Sequence, residues 1–166
     1  MILKLRLLFY ILFLFPAIAF TDAPSTKGVK RDFFLKNNEE IIFLKDKNNS
    51  ILELKPLRSM KAQAQGLSGV KREQLKTNQG AIFIYDGMSS RSFWMPDTYF
   101  DLAIIFLDEN LVVKFVEKKA IAHPGRKEPP IIFRTKAVEA KYVVEIPADN
   151  PIVFSLNVGD RFEFLK

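Results

Sequence analysis

The residues best suited by type to do chemistry fall in one short stretch, Phe93-Trp94-Met95-Pro96-Asp97-Thr98, followed by Asp101, with Gln65 upstream. Trp94 is the chain's one tryptophan. In an extended chain neighbouring side chains take opposite faces, so Phe93 and Met95 share one side and Trp94 takes the other. Pro96 has no N–H to donate and ends the ladder, which leaves Asp97, Thr98 and Asp101 in the connection to the next strand. An aromatic wall beside two short acids and a hydroxyl suits a cleft for a small polar ligand. Trp94 and Met95 would flank the ligand, Trp94 stacking on an apolar or sugar-ring face, while Asp97 and Asp101 accept hydrogen bonds. Gln65 would offer an amide to the same mouth. The plainer reading is also open: Asp and Thr after a strand bond their own backbone and fix the turn, and a large aromatic is at home in a core. As a pair of carboxylates, Asp97 and Asp101 also admit a hydrolase, which ranks behind the binding readings.

Other chemistry finds little support. The chain has no cysteine, which excludes disulfides, thiolate metal sites and a cysteine nucleophile. His123 is the one histidine, too few nitrogen ligands for zinc. Gly66-Leu67-Ser68-Gly69 misses the Gly-x-Ser-x-Gly nucleophile turn by one residue. Asp108-Glu109-Asn110 lacks the alternating ligands of a calcium loop, and there is no phosphate-cradling glycine loop. No metal, no cofactor and no catalytic residue is therefore expected. Glu145 sits in an apolar run and needs a partner if buried, with Lys141 or Arg134 as the candidates.

The elements that must position these residues read as strands. Asp32 to Leu35, Ile41 to Leu44 and Ile51 to Leu57 are short apolar or alternating runs, separated by Asn37-Asn38 and Lys45 to Ser50, which are rich in turn formers. Ser59 to Leu67 reads as a short helix, capped by Ser59 and ended by Gly66. Ala81 to Tyr85 and Arg91 to Met95 flank Asp86-Gly87, a hairpin signal. Leu102 to Leu107 and Leu111 to Val116 flank Asp108-Glu109-Asn110 as a second hairpin. Tyr142 to Ile146 and Arg161 to Leu165 complete the set. Asn150-Pro151 favours a short helix, with Asn as cap and Pro at the first position. Runs such as Ala81 to Tyr85 and Leu102 to Leu107 do not alternate, so both their faces are expected to be covered. The fold class expected is mainly β, an antiparallel jelly-roll-like β-sandwich or barrel with one or two short helices.

The first residues address the chain. Lys4 and Arg6 precede an uncharged run from Leu7 to Phe20, and Ala17-Ile18-Ala19 supplies the small-x-small exit. This pattern reads as a secretory signal peptide over residues 1–19, cleaved after Ala19; fourteen residues with a proline are short for a membrane span. The mature protein is expected in the periplasm or outside the cell. Residues 20–28 read as a flexible lead-in and 29–166 as a single β-rich domain. Loss of Lys4 and Arg6 takes the formal net charge from +6 to +4, too mild and too dispersed for nucleic acid. Lys114, Lys118, Lys119, Arg126, Lys127, Arg134, Lys136 and Lys141 form a basic stretch that would suit an anionic envelope component or protein, although exposed strand edges use lysine to block pairing. Docking through that basic face is the second functional reading.

The segment Phe93 to Val113 (FWMPDTYFDLAIIFLDENLVV), with Gln65-Gly66-Leu67 and Gly80 to Phe83 upstream and Tyr142 to Glu145 and Val158-Gly159-Asp160 downstream, resembles the domain-of-unknown-function 192 family. The resemblance covers about 51–164. Ser68-Gly69 and Ala81 depart from the family's usual methionines. The resemblance implies a jelly-roll-like β-sandwich and carries no established activity.

Overall fold

A computed structural model describes residues 40–165. The expected signal peptide, lead-in and Asp32 to Leu35 strand lie outside the described residues. The elements run β1 (Ile42–Lys45), β2 (Ile51–Leu57), α1 (Met60–Gln65), a 3₁₀ turn (Arg72–Gln74), β3 (Gln79–Arg91), β4 (Leu102–Leu107), β5 (Val113–Ala120), β6 (Val138–Pro147), α2 (Ile152–Ser155) and β7 (Glu163–Leu165). The protein is mainly β, with one sheet ordered β5-β4-β6-β3-β2-β1-β7.

Most pairs are antiparallel, but β2 and β3 run parallel, Glu53 opposite Gln79 and Leu57 opposite Phe83. The sheet is therefore mixed, a correction to the antiparallel expectation. Parallel neighbours need a crossover of about a dozen residues or more, and residues 58–78, which carry α1 and the 3₁₀ turn, supply it. Each local signal for α1 operates: the Ser59 hydroxyl accepts from the Ala62 N–H at 3.2 Å, and the chain turns away at Gly66. Replacing Ser59 by alanine should cost about 1 kcal/mol in urea unfolding, the usual value of such a cap.

The Asp108 hairpin forms. Asp108 Oδ1 accepts from the N–H groups of Asn110 and Val112, both at 2.9 Å, and Leu111 takes a φ of +62°. The hairpin expected at Asp86-Gly87 does not. β3 runs straight through it to Arg91, with Ile84 opposite Tyr142 and Ser89 opposite Ala140. Asp86-Gly87 lies in the bulge between those pairs, because β6 is long enough to partner β3 on both sides of it. Beyond Arg91 the chain remains extended but bonds elsewhere: Met95 N–H donates to Phe133 O at 3.1 Å and Thr135 N–H to Phe93 O at 2.8 Å. At Asn150, Oδ1 accepts from the Ile152 N–H at 2.9 Å, opening α2, while Nδ2 donates to Thr77 O at 2.8 Å.

The sheet curls until its edges meet. Val113 N–H donates to Asp160 O at 2.8 Å, Gly159 N–H to Val113 O at 2.9 Å and Phe162 N–H to Leu111 O at 3.1 Å. One apolar cluster, including Leu54, Ile82, Ile105, Val144, Ile152 and Phe162, fills one face of the curled sheet. A second, including Leu67, Val70, Phe83, Met95, Ile104, Phe106 and Val143, lies on the other face under the crossover and the 93–100 and 132–133 segments. Both faces of β4 are thus buried, which is why its sequence does not alternate. Gly80 packs where β3 crosses β6, and a methyl group there would strike the Glu145 backbone carbonyl and Ile146.

Candidate functional site

On the second face, three pieces of chain converge: the end of α1 with Gly66 to Ser68, the end of β3 with Ser92, and the Phe93 to Pro96 segment. They enclose an open cleft of about 410 Å³. Phe83 of β3, Leu102 of β4 and Glu145 of β6 line its buried side.

Glu145 shares its strand face with Val143, so it points into the second apolar layer. It is 5% exposed. The Leu67 N–H donates to its Oε2 at 3.1 Å. Burial pushes the carboxyl up to about 7, against the smaller opposing pull of that N–H. Gly66 makes room for it. A Cβ at Gly66 would lie 2.9 Å from Glu145 Oε2 and 3.0 Å from Phe83 Cζ, and its φ of +53° favours glycine. In Gln65-Gly66-Leu67 the glycine therefore clears the acid, the leucine N–H holds it, and the glutamine side chain lines the mouth. Lys141 and Arg134, the partners expected for Glu145 by sequence, face other groups: Lys141 lies 5.7 Å from the Tyr142 ring and Arg134 4.5 Å from the Trp94 ring.

Arg91 stacks its guanidinium 3.7 Å from the centre of the Tyr85 ring. Its Nε is buried with no hydrogen-bond partner among the described residues. Burial pushes the Tyr85 hydroxyl above its ordinary value, the Arg91 charge opposes this, and Glu145 adds to it. The polar groups of the cleft divide sharply. Gln63 donates to Leu57 O at 3.1 Å and Ile84 O at 3.0 Å, and Ser68 donates to Pro96 O at 2.8 Å. Gln65, Tyr85, Ser90 and Ser92 line the same space with no side-chain hydrogen bond to any described residue.

Of the residues picked out by sequence, Gln65, Trp94, Met95 and Thr98 line this cleft and Asp97 and Asp101 do not. Trp94 is 49% exposed, whereas Met95, at 1%, belongs to the core. Thr98 is buried, and its hydroxyl donates to Pro96 O at 3.2 Å. Asp97, at a φ of +54°, accepts from the Tyr99 hydroxyl at 3.0 Å and pairs with Arg126 at 3.4 Å. Asp101 accepts from the Ala122 N–H at 2.8 Å and stands 3.6 Å from Lys119. The two carboxylates therefore do not face one another across the cleft. His123 ties its Nε2 to Lys127 O at 3.1 Å. Sequence reasoning did not place Arg91, Tyr85 or Glu145 in the site. The acid inside Val143-Val144-Glu145-Ile146 was the available signal, since a buried carboxyl is costly unless it has a task.

The family model for domain-of-unknown-function 192, described as "Uncharacterized ACR", matches residues 34–164, most of the chain. That span takes in β1, which pairs with both β2 and β7. No curated protein matches. A crystal structure from Sinorhizobium meliloti, described provisionally as a transcription regulator, is similar at 22% identity and a TM-score of 0.60, covering 76% of this chain and 93% of that one. A protein of unknown function from Novosphingobium aromaticivorans is similar at 23% identity and a TM-score of 0.59, covering 75% and 84%. At these identities the likeness is one of fold.

Proposed function

The chain belongs to the uncharacterised domain-of-unknown-function 192 family, and from that premise we propose that it is a binding module for a small polar ligand, held in the cleft beside Trp94 and working in the cell envelope or periplasm. Fold alone names no activity, so the reading rests on the site. One observation carries it: the half-buried Tyr85 and Arg91 side chains and the exposed Gln65, Ser90 and Ser92 line one cleft with no side-chain hydrogen bond to any described residue. The other polar side chains at issue, Thr98 in the cleft and Asp97 and Asp101 outside it, are spent on backbone and neighbouring side chains. A volume of about 410 Å³ suits a small molecule. Docking through the basic stretch has less support, because several of its residues are already engaged, Lys119 with Asp101, Arg126 with Asp97 and Lys136 over the Phe115 ring at 4.0 Å.

Trp94 reports on the cleft without a label, since no other tryptophan interferes. A soluble quencher should reach it freely, and a panel of sugars, sugar acids, nucleosides and amino acids should contain a ligand that shifts its emission saturably. A freely quenched Trp94 that responds to no member of such a panel, with no ligand found by calorimetry, would remove this reading.

A further inference from the structure

Resting on the cleft reading, we infer that the ligand is a small hydroxylated monocarboxylate of the sugar-acid type, with its carboxylate on Arg91, its ring against Trp94 and its hydroxyls toward Glu145, Gln65 and the serines. Arg91 carries the argument. Its Nε–H is buried and unpartnered among the described residues, and one face of the guanidinium is covered by Tyr85. Nε itself is enclosed, so the two terminal amino groups are what the side chain has left to offer a ligand, and together they match two oxygens of a planar carboxylate. Its charge is also unspent, since the structure gives Arg91 no ion pair among the described residues.

The rest of the lining narrows the class. Arg91 is the one cation and Glu145 the one acid among the residues around the cleft. A single positive charge in the lining suits one anionic group; Arg134, the nearest further cation, is engaged over the Trp94 ring. Trp94, half exposed with Arg134 stacked on it, offers the aromatic surface that sugar rings pack against. The free amide and hydroxyls of Gln65, Ser90 and Ser92 suit a ligand rich in hydroxyls. The groups that face Glu145 from the packed elements are the Leu67 N–H after α1, Tyr85 and Arg91 from β3, and apolar residues including Phe83 and Leu102. Arg91 is the one cation among them, and a ligand carboxylate bound to Arg91 takes up that charge, so an anion in the cleft favours the protonated form of Glu145. Affinity for the carboxylate must then fall as pH rises through the neutral range.

Titration of the purified mature chain with glucuronate and galacturonate, followed by Trp94 emission and calorimetry, tests this against glucose, glucosamine and inorganic phosphate. The sugar acids should bind and the neutral sugar bind at least tenfold more weakly, the scale expected when a buried cation is left unpaired. Affinity should fall by about tenfold between pH 5.5 and 8.5, the weight of one pKa unit of linkage. Arg91→Lys, which keeps the charge and loses the fork, should weaken binding, and Glu145→Gln should bind with little pH dependence. Binding of glucosamine, phosphate or glucose in preference to the sugar acids would overturn the inference and leave the cleft reading standing. Saturable sugar-acid binding unaffected by Arg91→Lys would also overturn it. No response to any of the five would overturn the inference, and only silence across the wider panel as well would remove the cleft reading.

Discussion

Raising the pH from 5 to 8 should destabilise this protein, and Glu145→Gln should abolish that loss. The Glu145 carboxyl is pushed from an ordinary value of 4.5 to about 7 by burial. Between those values the folded chain holds a proton that the unfolded chain has released, so the slope of unfolding free energy with pH is negative. The stabilisation is fully present below about 4.5 and is lost as pH rises through about 7. At about 1.4 kcal/mol per pKa unit, the whole effect is about 3 kcal/mol. Of the other described groups with displaced titration, Tyr85 and Tyr99 are raised from 10.0 and Asp160 is lowered from 3.8, all outside this window. Gln at position 145 keeps an oxygen to accept the Leu67 N–H and cannot ionise. The variant should therefore match the parent near pH 5 and exceed it near pH 8. Urea unfolding of both proteins at pH 5, 6, 7 and 8 decides the matter, and a parent whose stability is flat or rising across that range would refute the account.

Phe83→Ala should be the most damaging single truncation near the cleft, costing about 3–5 kcal/mol, the range for deleting a buried aromatic. Phe83 is 1% exposed and its ring meets Phe93 edge-on with centroids 4.8 Å apart; Phe93 in turn meets Phe106 edge-on at 5.7 Å. The chain of rings ties β3 and β4 to the segment that carries Trp94. Loss of the first ring opens a void beneath the cleft and removes one of the two rings that the half-buried Phe93 meets edge-on. Phe83→Leu keeps most of the volume and should cost less than half as much. Equal losses for the two variants would mean that ring geometry, and not filled volume, holds this layer together.

The two predictions share a cause. Glu145, Phe83 and Gly66 meet at one point where the crossover lies on the sheet, so stability and site chemistry are set by the same packing. Burial of an ionisable group carries a charge cost, and the pH dependence of stability is where that cost becomes measurable.

Much of the local structure was legible in the residues. The Ser59 cap, the Asp108 turn and the Asn150 helix start each depend on side chains bonding backbone within a few positions, and the stop at Gly66 on the glycine's own backbone; such bonds are written in local sequence. The mainly β class followed from strand-length apolar runs, and the double burial of Leu102 to Leu107 from their lack of alternation. The family resemblance carried the same elements, and the family model's span reaches further upstream than the residues that first suggested it.

What the chain did not reveal locally depends on partners far away in sequence. Asp86-Gly87 carries a hairpin signal, yet it lies in a bulge because β6, some fifty residues on, offers a continuous edge to β3. The parallel β2–β3 pair exists because the crossover brings β3 back beside β2, which no turn residue announces. The cleft follows the same logic. Trp94 and Gln65 could be chosen by type, but Arg91, Tyr85 and Glu145 join them only because β3 and β6 are paired and Gly66 lets the carboxyl in. By itself the sequence determined the mainly β class, the helix caps, the Asp108 turn and the absence of thiol chemistry, since these are properties of single residues and near neighbours. The tertiary structure decided the strand order, the curl that brings the start of β5 against residues 159–162 ahead of β7, and which groups line the cleft, because burial and pairing are properties of residues brought together from across the chain.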